Sequence, residues 1–342
     1  LYYFKQENIL ITDRYNREID YIRISITDRC NLRCKYCMPE DVSFIPHERI
    51  LRYEEILRIV KILAKLGIRK VKLTGGEPLV RRGCDSLIRE IKQIESIDMV
   101  TLTTNGVLLE EMLPQLQEAG VDAINVSLDT RNRARYLEVT GKDMYEQVER
   151  GIEAVYKSGI PLKINCVPVQ GVNIDEIPDF FAWAKEKQIA VRFIEMMPIG
   201  YGDQYEAFSA EQIKEMFFAR YPEAYQVKET LGNGPAVYYR APGFAGEIGI
   251  IGAVHEKFCS TCNRIRLTSE GFFKLCLYSG AGIDLRQMLR DGSTDEEIAD
   301  AIADAIQRKP KEHHFGEVQA ESSVDAPASG EADTRKMSQI GG

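Results

Sequence analysis

The sequence predicts an α/β fold: a partial (β/α)6 TIM-like barrel with a smaller C-terminal α+β region closing its open side. Three observations predict it. Six short β-rich runs alternate with helical stretches between Tyr21 and Ile194. One face of those runs is polar throughout. After about Glu195 the alternation gives way to a helix followed by short strands.

The runs are Tyr21 to Thr27, Lys70 to Thr74, Met99 to Thr103, Asp122 to Leu128, Leu162 to Val167 and Val191 to Ile194. Between the first two, Ile56, Ile59, Val60, Leu63 and Leu66 recur at helical spacing from about Tyr53, and Gly67 stops the pattern. Further helices are expected near Ser86 to Glu95, Glu110 to Ala119, Asp143 to Ser158 and Ile174 to Lys187. Strand and helix in strict alternation imply parallel strands joined by right-handed crossovers. The second region should hold a helix over Ser209 to Arg220. Strands should follow around Ala236 to Arg240, Glu247 to Gly252, Arg264 to Thr268 and Phe272 to Leu275, and then a helix over Thr294 to Gln307. Pro310 to Lys336 is rich in Ala, Ser, Gly, Glu and Asp without an apolar period and reads as largely disordered. The expected units are therefore 1–195, 196–308 and a tail from 309 to 342.

Within the strands, Arg23, Ser25 and Thr27 alternate with Ile24 and Ile26, and Lys70, Lys72 and Thr74 alternate with Val71 and Leu73. Asn125 to Asp129, Lys163 to Cys166 and Arg192 with Phe193 behave alike. Successive side chains point to opposite faces, so the apolar set can pack on helices while the polar set lines the other side. An open sheet with one solvated face gives the same alternation. Crossover helices on a single face favour a curl instead, and a closed eight-stranded barrel would fill its interior with branched apolar residues. The polar lining suggests a hollow that holds something polar.

Composition bounds the class. The 342 residues carry a formal net charge of −8, 44% hydrophobic and 28% charged residues, 26 Gly and 13 Pro, as an ordinary globular protein does. A general nucleic-acid or anionic-membrane binder advertises a basic surface, which this chain lacks. No apolar run reaches the roughly 18 residues of a membrane helix. Leu1 to Glu18 mixes Lys5, Glu7, Asp13 and Arg14 with its apolar residues and does not read as a secretory leader. Eight cysteines without such a leader point to a reducing, cytoplasmic setting, where grouped cysteines bind metal or do chemistry.

Six of the eight fall into two groups. Cys30-x3-Cys34-x2-Cys37 lies in the loop after the first strand. Three thiolates from so short a loop can ligate three irons of a cubane and leave the fourth open, whereas structural zinc prefers four protein ligands. Cys259-x2-Cys262-x13-Cys276 lies on a hairpin-like segment of the second region. There His255 could complete a closed site, and spacing alone leaves both readings open. Cys84 reads as a loop thiol and Cys166 as strand packing.

The first group, with Tyr36 before its last cysteine and Gly75-Gly76-Glu77-Pro78 after the second strand, resembles the radical S-adenosylmethionine (SAM) superfamily. Six longer stretches narrow the match. They are Thr27 to Pro39, Leu73 to Leu79, Thr103 to Gly106, Asn125 to Asp129, Arg192 to Glu195 and Phe258 to Leu267; with the terminal Gly341-Gly342 they are similar to the GTP 3′,8-cyclase family of molybdenum cofactor (molybdopterin) biosynthesis.

That resemblance implies a lyase with two [4Fe–4S] clusters. The first, on Cys30, Cys34 and Cys37, chelates SAM, and the second, on Cys259, Cys262 and Cys276, binds the guanine of GTP, which disfavours His255 as a ligand. A 5′-deoxyadenosyl radical abstracts the ribose 3′ hydrogen, giving (8S)-3′,8-cyclo-7,8-dihydroguanosine 5′-triphosphate. Tyr36, Gly76, Ser127 and Met197 would contact SAM. Arg23, Lys72, Thr103, Lys163, Arg192 and the Arg264-Ile265-Arg266 run would contact GTP. Lys72 stands where Arg is more usual in the family, which would make that contact a point charge rather than a bidentate fork. Gly341 and Gly342 would reach the active site and act in catalysis. The resemblance further implies an electron donor such as flavodoxin or ferredoxin and a product passed to cyclic pyranopterin monophosphate synthase, with a homodimer as one possible assembly.

Two expectations rest on physics. Gly75 and Gly76 allow bare backbone to approach a ligand. Arg23, Lys70, Lys72, Lys163 and Arg192 share the polar strand face with Arg264 and Arg266 beside them, a cluster tolerable only when an anion occupies it. The rival readings are a radical SAM maturase acting on a peptide, which usually carries more C-terminal cysteines, and a zinc-stabilised binding module without catalysis.

Overall fold

The computed structural model describes residues 10–38, 42–229, 231–315, 333 and 335–341. In chain order, the first region comprises β1 (Tyr21–Ser25), α1 (Tyr53–Lys65), β2 (Lys70–Thr74), α2 (Cys84–Lys92), β3 (Met99–Thr104), α3 (Leu109–Glu118), β4 (Ala123–Ser127), α4 (Arg133–Thr140), α5 (Tyr145–Ser158), β5 (Leu162–Cys166), α6 (Ile177–Glu186) and β6 (Ala190–Ile194). The second comprises α7 (Ala210–Arg220), β7 (Tyr225–Gln226), β8 (Val237–Arg240), β9 (Glu247–Ile251), β10 (Arg264–Leu267), β11 (Phe272–Lys274), β12 (Gly282–Asp284), α8 (Leu285–Arg290), α9 (Asp295–Gln307) and α10 (Met337–Ile340).

Strands β1 to β6 pair in parallel and in sequence order. Ile22, Ile24, Val71, Leu73, Val100, Leu102, Ile124, Val126, Ile164, Val191 and Phe193 form their apolar face. They are buried together with Ile56, Ile59, Leu63, Leu87, Leu113, Val148 and Phe180 of the crossover helices. Each helix must hide one apolar stripe, and the sheet supplies a single face to receive them, so the polar face turns inward.

The second region does not sit apart. Its β10 pairs in parallel with β1, and its β9 pairs in parallel with β6, so the parallel arc grows from six strands to eight. Antiparallel partners β11 and β12 extend one edge, β8 and β7 the other. The two ends, β12 and β7, are not neighbours, and the curled sheet stays open.

Two expectations need correction, and one helix has no expected counterpart. Helix α4 lies in a stretch for which the sequence predicts no element: its buried Tyr136 and Val139 are too few to set a period, and the signals that make it are local, the Asn132 side chain accepting from Arg135 N at 3.1 Å and Gly141 in the left-handed region at φ 69°. Cys84 is fully buried in the first turn of α2 rather than in a loop. Pro310 to Lys336 is not disordered throughout, because His313 and Phe315 are buried, and beyond 332 Asp333, Arg335 and Lys336 make defined contacts. Residues 316–332 and 334 lie outside the described residues. No helix among the described residues is long and apolar enough to cross a membrane.

Candidate active site

Parallel pairing places the loops after β1, β2, β3 and β4 at one end of the arc. The loop after β1 carries Cys30, Cys34 and Cys37, and none of the three is in a disulfide. Its turn is closed by Cys37 N and Met38 N, which donate to Cys34 O at 3.0 and 2.8 Å. Burial raises all three thiols, that of Cys37 to about 12, with each other's charge and Asp129 adding to it at Cys34 and Cys37. Three half-buried thiols that feel one another, with only Arg33 as a cationic neighbour of Cys30, are a donor set fitted to a cationic metal cluster.

Neighbouring loops hold this one from both sides. Glu77 is buried and accepts from Leu79 N at 3.0 Å, Thr104 Oγ1 at 2.8 Å and Asn105 N at 2.6 Å; burial still raises its carboxyl to about 7. Asn105 then donates from Nδ2 to Asn31 Oδ1 at 2.7 Å and to Cys30 Sγ at 3.6 Å. On the opposite side the Tyr36 hydroxyl donates to Asp129, whose other oxygen accepts from Val167 N at 2.8 Å. Sequence reasoning quoted Glu77, Asn105 and Asp129 within motifs but gave them no role, because what reveals one is a contact between loops distant in sequence.

Packing by itself requires glycine at 75 and 76. A Cβ on Gly75 would stand 2.6 Å from Thr27 O, and one on Gly76 would stand 2.4 Å from Arg29 O. The bare backbone therefore lets β2's loop lie against the cysteine loop, with Gly76 N donating to Thr27 O at 2.7 Å. Ser127, at the end of β4, is exposed on the polar face. Met197 is half-buried against a small apolar cluster of Ile199, Phe315 and Ile340.

Register aligns the cations of the polar face. Arg266, Arg23, Lys72 and Thr101 lie side by side on β10, β1, β2 and β3, while Thr103, Asn125 and Lys163 align on β3, β4 and β5, and Asn165 aligns with Arg192. None of Lys72, Lys163, Arg192, Arg264 and Arg266 forms an ion pair with the described residues. Arg192 donates to Asn165 Oδ1 at 2.9 and 2.6 Å, Lys163 to Leu231 O, and Arg264 lies 4.6 Å over the Phe258 ring. Burial and repulsion from neighbouring cations depress three of these groups: Lys163 falls to about 8 beside Arg192, Arg266 to about 9 beside Arg23 and Arg264, and Lys72 falls well below the ordinary lysine range. Glu247, the inward carboxylate on β9, is engaged by Arg240. Unneutralised cations converging in a hollow are arranged for a polyanion.

Two members of the expected set do not belong. Lys70, at the start of β2, is paired with Asp20 at 2.7 Å. Ile265 is fully buried in the outer core, and strand alternation points its side chain away from the hollow.

The second cysteine group stands at the edge of the hollow. Cys262 N donates to Cys259 O at 3.2 Å, and Arg17 braces the loop through Cys259 O at 2.8 Å. Buried Lys309 donates to Arg264 O at 2.8 Å and to Leu275 O, which ties β10 to the strand end before Cys276. Burial would raise the Cys262 thiol, but Lys309 and Arg264 overcome it and bring it down to about 6. His255 Nδ1 faces Glu195 Oε1 at 2.5 Å, and that buried carboxylate also accepts from Val254 N at 2.8 Å and His255 N at 3.1 Å. This engagement occupies Nδ1 of His255 and holds the residue against the end of β6.

Gly341 reaches the same hollow. Its carbonyl accepts from Arg266 Nη1 at 2.8 Å, its φ is 82°, and a Cβ there would stand 2.8 Å from Thr74 Oγ1 and 2.9 Å from Ser25 Cβ. Only glycine fits that conformation in that space. Gly342 lies outside the described residues.

Comparison with known proteins agrees with this division of labour. Residues 24–184 match the radical SAM superfamily and residues 189–315 the Molybdenum Cofactor Synthesis C family. A GTP 3′,8-cyclase of Pelotomaculum thermopropionicum is 44% identical over 335 residues, 96% of this chain and 99% of that protein. Another, of Clostridium perfringens strain 13, is 44% identical over 304 residues, 89% of this chain and 94% of that protein. Among solved structures, SuiB of Streptococcus suis bound to S-adenosylmethionine superposes with a TM-score of 0.58 at 16% identity, over 84% of this chain and 69% of that one, a likeness of fold.

Proposed function

The chain belongs to the GTP 3′,8-cyclase family, and from that premise we propose that its hollow converts GTP to (8S)-3′,8-cyclo-7,8-dihydroguanosine 5′-triphosphate in molybdenum cofactor biosynthesis. Cys30, Cys34 and Cys37 would hold one [4Fe–4S] cluster and Cys259, Cys262 and Cys276 another. When bound, the first cluster with SAM supplies a 5′-deoxyadenosyl radical able to abstract the ribose 3′ hydrogen.

The remaining work is done by the chain's own side chains. Arg266, Arg23 and Lys72 form a row for the triphosphate, and Lys163 and Arg192 extend it across β5 and β6. Thr103 offers a hydroxyl between them, and Arg264 carries the positive field to the second cysteine group. Tyr36, Gly76, Ser127 and Met197 would hold SAM, with the Glu77 and Asp129 carboxylates beside the first cysteine group as partners for a cationic sulfonium and ammonium. The Gly341 carbonyl accepts from Arg266, a member of that row, which supports a catalytic role for Gly341 and Gly342. Residues 1–195 would then be the SAM-binding unit, 196–308 the unit carrying the second cluster and 309–342 a tail that enters the site. The electron donor would be a flavodoxin or ferredoxin, the acceptor of the product cyclic pyranopterin monophosphate synthase, the assembly a homodimer and the setting cytoplasmic.

The observation that carries this reading is the row of inward cations between two groups of three thiols, in which Lys72, Lys163, Arg192 and Arg266 form no ion pair among the described residues. Anaerobic incubation with GTP, SAM and a strong reductant should yield the cyclised nucleotide. Formation of 5′-deoxyadenosine while GTP stays unconsumed would overturn it, as would purified protein containing zinc and no sulfide.

A further inference from the structure

The cation row does not stop at Arg266. Register places Lys274 of β11 beside it, so that Lys274, Arg266, Arg23 and Lys72 stand at one height on four adjacent strands. Lys274 differs from Lys72 and Arg266, which form no ion pair among the described residues. Its side chain is wholly buried, and its ammonium is spent: Nζ donates to Ser279 O at 2.8 Å and to the carboxylate of Asp333, on the segment that leads to the chain end.

Asp333 is itself held on several sides. Its amide donates to Tyr278 O at 2.8 Å, and its carboxylate accepts from Arg335 N at 2.9 Å and pairs with the Arg335 guanidinium at 3.1 Å. Arg335 lies 4.1 Å over the Phe272 ring, on the same strand as Lys274. Lys336 then donates to Tyr201 Oη at 2.9 Å, and Ile340 packs with Ile199 and Phe315. The chain finally returns to the row at Gly341, whose carbonyl sits on Arg266. The segment is thus pinned at both ends to register neighbours of one row, at Lys274 by a carboxylate and at Arg266 by a carbonyl.

We propose that the Asp333–Lys274 pair is the latch that seats the C-terminal segment, making both of them positioning residues for Gly341, with Lys274 excluded from the part of the row left for substrate. The physical reason is asymmetry of cost. A buried lysine deprived of its carboxylate, beside a buried arginine, is an uncompensated charge, whereas Arg266 without Gly341 can turn to a phosphate. The latch therefore holds independently of substrate while the distal contact is exchangeable. Its link to catalysis rests on the reading of Gly341 and Gly342 given above.

The test compares holoenzyme carrying Asp333→Asn, Asp333→Glu or Lys274→Met with the parent. Hydrogen exchange by mass spectrometry reads the segment directly, since Ile340 N and Gly341 N donate to Lys336 O and Met337 O. In Asp333→Asn and Lys274→Met, exchange over residues 335–341 should quicken by roughly tenfold or more, the loss of one charge-assisted hydrogen bond, with β3 and β4 unchanged. Asp333→Glu should restore most of the protection. The ratio of 5′-deoxyadenosine to cyclised product should rise and kcat for the product fall, while KM for GTP stays within roughly threefold. Unchanged exchange in Asp333→Asn would overturn the latch, as would a large rise in KM at constant kcat, which would return Lys274 to the substrate row. Faster exchange with coupling intact would leave the latch standing and instead refute the catalytic reading of the terminal glycines.

Discussion

The two cysteine groups offer the same three thiols in different surroundings. Around Cys30, Cys34 and Cys37 burial leads, the Glu77 and Asp129 carboxylates add to it against a smaller pull from Arg33, and every thiol is pushed up. In the second group burial also raises Cys259, but at Cys262 Lys309 and Arg264 outweigh it and draw the thiol down to about 6. Equal donor sets thus prepare different ligands. A site already negative favours a partner carrying a sulfonium and an ammonium, and a site flanked by unpaired cations favours a polyphosphate. What separates the two ends is the second layer of side chains, as it is in metal sites generally.

Breaking one group at a time gives the largest expected effect. Cys34→Ser should abolish both 5′-deoxyadenosine formation and cyclisation. Cys262→Ser should leave SAM cleavage measurable and take cyclised product below detection, read by chromatography of anaerobic reactions with reconstituted protein. Equal loss of both activities in Cys262→Ser would mean that the two ends are not separable.

The field of the second end can be weakened without touching a thiol. Arg266→Ala removes a buried cation from the row and should cost about 2–5 kcal/mol of GTP interaction, a rise in KM of roughly thirtyfold or more. SAM cleavage should respond far less, because no contact of Arg266 lies on the cysteine loop of β1. Isothermal titration with GTP checks the first expectation and uncoupled turnover the second.

Strand order, the inward polar face and both cysteine groups were legible in the sequence because each is a periodic or short-range signal. The period of two fixed which side of β1, β2 and β5 carries Arg23, Lys72 and Lys163. It also made Ile265 the wrong neighbour to group with Arg264 and Arg266, since one strand cannot send three consecutive side chains inward. Lys70 has the right phase and the wrong height, and only its pairing with Asp20 discloses that. Helix α4 depended on caps rather than on an apolar stripe. Asn105, Asp129, Glu195 and the Asp333 latch needed knowledge of which loops meet, which no local pattern encodes.

A subtler contrast follows from Lys163. Burial beside Arg192 lowers its ammonium to about 8 from an ordinary 10.5, so in the folded chain it is charged below that pH and loses its proton as the pH rises through it. In the free protein this charge costs stability below about pH 8, a cost relieved as the pH climbs toward 10.5. For an anion the sign reverses: GTP affinity should fall as the pH passes about 8. Lys163→Arg should flatten that step, and SAM binding should show no matching one.

The smallest expected effect tests whether the negative end is tuned as well as charged. Asn105 donates from Nδ2 to Cys30 Sγ at 3.6 Å and is itself fixed by Glu77 through its amide. A donor to a ligand sulfur stabilises the more negative, reduced state of an iron–sulfur centre. Asn105→Ala should therefore lower the potential of the cluster on Cys30, Cys34 and Cys37. For a weak bond worth about 0.5–1 kcal/mol the shift is roughly 20–40 mV for one electron. Potentiometric titration followed by electron paramagnetic resonance reads it, and the centre on Cys259, Cys262 and Cys276 serves as the internal reference, since Asn105 makes no contact with that loop. A shift confined to the first centre would show that its sulfurs are tuned by a neighbouring loop. An unchanged potential would mean that Asn105 only holds Asn31, and that the difference between the two ends is one of charge alone.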